Sequence, residues 1–175
     1  MLHSAPRLLT LGRCELVIET STGPRSLPTQ AKRLALLAYL AAALPGEECA
    51  LETLLALLWP DRSKGDARRA FQQTLFHLHQ QTRSELVRTS SDGQAGITAQ
   101  LVCDIREFER AVLERRFADA VALYGGPFLG NFSIPHVGKE FEDWKQRARL
   151  RLHAAATHAA WQLSMEAENR GDDTA

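Results

Sequence analysis

The sequence predicts an α+β winged helix over residues 1–101, followed by an all-α, tetratricopeptide-like helical domain over residues 102–175; the chain is mostly α overall. Three observations carry that reading. Short strand-like runs precede three helical periods, a turn-centred hairpin follows the third, and nearly everything beyond Leu101 has helical spacing. Strands, three helices and a two-stranded ribbon, in that order, make a winged-helix layout.

Residues 7–20 read as two short strands turning at Gly12-Arg13, Ser21 to Pro24 as a second turn, and Arg25-Ser26-Leu27 as a third strand. A helix is expected from about Thr29 to Leu44, buried through Leu34, Leu37, Ala38 and Ala41 and ended by Pro45-Gly46. A second spans about Leu51 to Trp59. Pro60 cannot continue it, because proline lacks a backbone donor and clashes with the preceding turn.

The third helix runs from Lys64 to Arg83, with Ser63 and Asp66 at the spacing of a capping box. Ala67, Phe71, Thr74, Leu75, Leu78 and Thr82 fall on one face. Arg69, Gln72, Gln73, Phe76, Gln80 and Arg83 fall on the other. Arginine pairs bidentately with guanine, glutamine with adenine, and an apolar atom meets a thymine methyl, so this outward face suits a duplex-reading helix. A solvated surface helix, in which Arg and Gln serve as good helix formers, is the plainer alternative. Phe76 weighs a little against it, since a large aromatic on a polar face calls for a partner, either the duplex or a neighbouring element. The hairpin pairs residues 85–89 with 95–98 around Ser91-Asp92-Gly93-Gln94, and Asp-Gly is a strong signal for a tight turn.

Beyond Leu101, Asp104 is placed to cap a helix reaching about Arg116, a shorter helix covers residues 117–124, and Gly125 to Gly138 form an irregular loop. A long helix follows from about Lys139 to Asn169, with Phe141, Trp144, Ala148, Leu152, Ala155, Ala159 and Leu163 as its stripe and Gly171-Asp172-Asp173 as its stop. Helix pairs with small-residue contacts resemble tetratricopeptide arrays, which need about three repeats. The chain is therefore expected to be the front of a longer protein or a truncated form.

The composition is that of an ordinary soluble protein, 45% hydrophobic and 24% charged, and no apolar run approaches the roughly 20 residues that span a bilayer. No secretory signal is visible, and the odd, scattered cysteines (Cys14, Cys49, Cys103) suit a reducing cytoplasm. Net charge is zero, yet six basic residues face two acidic ones between Arg62 and Arg88. That local excess fits a modest nucleic-acid footprint.

Taken in order, Leu34 to Leu40, Leu57 to Asp61, Ala67-Arg68 with Thr74-Leu75 and Leu78, Cys103-Asp104-Ile105 with Phe108, Ala120 to Tyr124, Gly126 to Leu129, Phe141 with Trp144, and Arg147 to Leu150 resemble one family. It is the Streptomyces antibiotic regulatory protein family, an OmpR-type winged helix joined to a bacterial transcriptional activation domain. The resemblance implies a transcription regulator, an activator binding promoter direct repeats as a homodimer or side-by-side pair and contacting RNA polymerase. It implies that Arg69, Gln72, Gln73, Phe76, Gln80 and Arg83 face the DNA groove, and that Arg62, Lys64, Arg68 and Arg88 contact phosphates. The chain departs from the family's pattern at Ala50, where a capping Ser or Thr is favoured, and at His79, where Arg is common. The alternative is a protein–protein adaptor whose winged helix no longer reads DNA.

Little points to other chemistry. His77 and His79 project about 200° apart on a helix, His153 and His158 are five apart, and no Cys-x-x-Cys exists, so no metal site is expected. The glycines of Gly125-Gly126-Pro127-Phe128-Leu129-Gly130 follow a helix and lack the Gly-Lys-Ser/Thr of a phosphate loop; a close-packed interhelical loop with Phe128 and Leu129 buried is expected instead. Neither a cofactor nor an enzymatic activity is expected.

Overall fold

The computed structural model describes residues 5–43, 47–135 and 137–169. Strands β1 (Arg7–Leu9), β2 (Glu15–Thr20) and β3 (Gly23–Leu27) form an antiparallel meander, and α1 (Ala31–Ala41) follows. A two-residue strand β4 (Cys49–Ala50) leads into α2 (Leu51–Leu58), and α3 (Lys64–Thr82) comes next. The hairpin is β5 (Val87–Thr89) and β6 (Gln94–Ile97), after which β7 (Val102–Cys103) leads into α4 (Asp104–Leu113), α5 (Phe117–Leu123) and α6 (Lys139–Asn169).

The meander is four-stranded, in the order β3-β2-β1-β7, because β7 returns to pair parallel with β1. The wing is a three-stranded sheet, β4-β6-β5, to which residues before α2 contribute an edge. Neither β4 nor β7 stands out in the sequence. The expected Pro45-Gly46 and Gly171-Asp172-Asp173 helix stops lie outside the described residues, and α1 is shorter at both ends than its periodicity suggests.

The core is one continuous cluster, with Leu36, Leu37 and Leu40 of α1, Leu54 and Leu58 of α2, Phe71 and Leu78 of α3, and Phe108, Phe128 and Phe141 of the helical region among its members. Burial of such side chains is the main favourable term in folding. The loop before α6 belongs to this core. Phe128 and Leu129 are fully buried, Gly12 donates to the Pro127 carbonyl at 3.0 Å, and Leu129 donates to that of Thr10 at 2.6 Å. A Cβ on Gly12 (φ +86°) would come within 2.7 Å of the Gly125 carbonyl oxygen, so the contact requires glycine there.

The two regions meet along a polar seam as well. Asp104 does not act as a conventional N-cap: Cys103 occupies that position, and the buried Asp104 carboxylate reaches back to β1. It accepts from the amides of Thr10 (2.7 Å), Leu11 (2.9 Å) and Ile105 (2.7 Å) and from the Thr10 hydroxyl at 2.7 Å. Helix α1 carries no basic residue in its last turn, and cations from elsewhere supply its C-terminal end. Arg106 of α4 donates to the Leu40 and Ala41 carbonyls at 3.3 and 3.2 Å, and Arg151 of α6 to that of Ala42 at 3.4 Å. Tyr39 packs against Trp144 with ring centroids 4.8 Å apart.

Candidate nucleic-acid interface

Helix α3 starts at Lys64 because Ser63 caps it, its hydroxyl oxygen accepting from the Asp66 amide at 3.2 Å. The capping box is only half formed, since the Asp66 carboxylate accepts from the Ser63 hydroxyl at 2.7 Å. Ala67, Ala70, Phe71, Thr74, Leu78 and Thr82 are buried, so the apolar face packs on the domain. The Thr74 and Thr82 hydroxyls donate to the carbonyls of Ala70 and Leu78, which satisfies them within the helix.

The opposite face is open. Arg69, Gln72, Gln73, Phe76 and Gln80 are all exposed, Phe76 at 59% and the Arg69 side chain at 83%. Arg69 has a long contact with Asp66 at 3.4 Å, and the exposure of all five side chains leaves the face open among the described residues. Arg83 departs from the expected helix. It takes the left-handed conformation (φ +57°) that ends α3, and its guanidinium lies 3.4 Å from the Gln80 side-chain oxygen. Its wheel position therefore carries no meaning, though it remains exposed beside Gln80.

The basic residues expected at phosphates are exposed but differently engaged. Arg68 pairs with Glu52 of α2, which holds the Glu52 carboxyl below its ordinary range. Arg88 of β5 pairs with Glu48 at 2.5 Å. Arg62 and Lys64 form no ion pair among the described residues. Any anion reaching Arg68 or Arg88 must compete with a carboxylate already in place.

Two hollows border the exposed face of α3. On the wing side, Gln72, Phe76 and His79 line a groove with Leu86 and Val87, about 420 Å³ in volume. On the other side, Gln73 and His77 of α3 meet Lys32 and Arg33 of α1 and Arg62 around a hollow of about 300 Å³. The structure thus joins Arg62 and Gln73 to His77, weighed in the sequence only as a metal ligand, and to Lys32 and Arg33, which the sequence did not single out. Lys32 and Arg33 lie about forty residues before Gln73, and only tertiary packing makes them neighbours.

The cysteines are unsuited to nucleophilic work: burial pushes the Cys14 and Cys103 thiols up to about 12. Among the described residues, no cluster of three His, Cys, Asp or Glu side chains could hold a metal ion, and no helix is long and apolar enough to cross a membrane.

The fold has a solved counterpart. Mycobacterium tuberculosis EmbR, determined in complex with a low-affinity phosphopeptide, superimposes with a TM-score of 0.57 at 18% sequence identity. The match covers 89% of this chain and 45% of EmbR, so the chain spans less than half the length of that protein. No family model matches the sequence, and no curated protein is similar to it.

Proposed function

We propose that the chain is a sequence-specific DNA-binding transcription regulator, an activator that seats α3 in the major groove and lays its wing along the backbone. The observation that carries this is the open face of α3, where Arg69, Gln73, Phe76 and Gln80 stand exposed while the helix's apolar side is buried. A helix held rigidly by its back, with guanidinium and amide groups on its front, has the chemistry for reading base edges. The fold shared with EmbR and the net basic stretch from Arg62 to Arg88 support the same reading. Binding to direct repeats as a pair, and contact between the helical region and RNA polymerase, complete the proposal. Two copies side by side offset the weak electrostatic attraction of a neutral chain.

The test is fluorescence anisotropy against the gene's upstream duplex and a random duplex of equal length, at two salt concentrations. Arg69→Ala and Gln73→Ala each weaken specific binding by about 1–3 kcal/mol and leave random-duplex binding nearly unchanged. Equal losses on both duplexes would sink the groove assignment. An adaptor reading draws on a separate observation, the Phe76 ring beside the apolar groove lined by Leu75, Leu78, Leu86 and Val87. Under that reading the parent chain binds neither duplex, and Phe76→Ala is the damaging change in partner capture.

A further inference from the structure

A helix lying in the major groove has a sugar–phosphate wall on each side, and the protein must face both. The wing occupies one side of α3. On the other side, Lys32, Arg33, Arg62 and His77 surround the 300 Å³ hollow next to Gln73. Lys32 and Arg33 project from the first turn of α1, which contains no acidic residue. Among the described residues, none of Lys32, Arg33 and Arg62 takes part in an ion pair or a side-chain hydrogen bond. This differs from the wing side, where Glu48 already holds Arg88.

The cluster is electrostatically unrelieved. Burial first, then the charge of Arg62, holds the Lys32 ammonium below its ordinary value, and Asp61 only partly offsets this. Three cations converging on one hollow, beside the one stretch of α3 that points to base edges, form a seat for an anion whose place is set by the helix.

We propose that Lys32, Arg33 and Arg62 form a phosphate seat that grips the DNA strand on the side of α3 away from the wing. The inference rests on the DNA-binding reading above and adds a second backbone contact, carried mainly by the first helix. Base-edge contacts then come from between two anchored walls, Arg88 on one side and Lys32, Arg33 and Arg62 on the other. His77 sits at the margin of the seat and adds a donor in either protonation state.

The experiment compares the full chain with the double variant Lys32→Gln/Arg33→Gln and with Arg69→Ala, on upstream and random duplexes, across a salt series. Both substituted side chains are partly exposed, so thermal melting should match the parent and exclude a folding defect. The double variant is expected to lose about equal affinity on both duplexes, with the salt slope shallower by about 2, near one counterion per lost contact. Neutral methylphosphonates at the phosphates on the far side of the α3 footprint should weaken the parent and leave the double variant nearly unaffected. If the double variant keeps the parent's affinity and slope while Arg69→Ala still weakens specific binding, the seat is refuted and the groove reading stands. If the parent binds no duplex at all, both fall together.

Discussion

Asp104 illustrates how much one side chain can hold. Four donors converge on a buried carboxylate, and two of them are the amides of Thr10 and Leu11, where β1 leaves the sheet. Replacing it leaves those amides buried without acceptors, which costs more than the bonds themselves contribute. Asp104→Ala is therefore expected to destabilise the chain by about 3 kcal/mol or more, read as a lower urea midpoint with an unchanged slope. From sequence, an Asp before a helical run signals a cap. The true partner lies more than ninety residues earlier, beyond the reach of any local pattern. The place of Lys32 and Arg33 beside α3 depends on tertiary packing in the same way, whereas Arg69, Gln73 and Gln80 fall on an exposed face by helical spacing alone.

Among the helices and strands, those set by long periodicity or sharp stop signals were readable. Helix α6 begins at Lys139 as its pattern suggests, and α3 begins where Ser63 suggests. The two-residue strands β4 and β7 were not readable, because they exist only through pairing with β6 and β1. Helix α2 shows how such pairing compensates for a missing cap. Ala50 offers no side-chain acceptor, but the first amide, that of Leu51, donates to the Gly93 carbonyl at the wing's turn at 2.8 Å. The next amides of α2 have no such acceptor from a capping side chain. Ala50→Ser should accordingly stabilise the chain by about 0.5–1 kcal/mol, raising the melting temperature by a few degrees, with DNA binding untouched. No gain in melting temperature would mean that the wing already satisfies this end fully.

Over its full extent the chain is electrically neutral, so any grip on a polyanion comes from where its cations stand. The carboxylates Glu48 and Glu52 occupy two of them, and the uncompensated cations gather beside α3. The winged and helical regions do not hang from a flexible tether. Asp104 on β1, Arg106 and Arg151 on the end of α1, and Trp144 on Tyr39 join them at several separate points.

That many-point seam has a mechanical consequence. On the proposed regulator reading, these contacts hold the helical face at one set angle around the duplex, and polymerase engages from that same side. Inserting about five base pairs, half a turn, between operator and promoter should silence a reporter, and about ten should revive it. A response that merely declined with distance would count against that fixed angle.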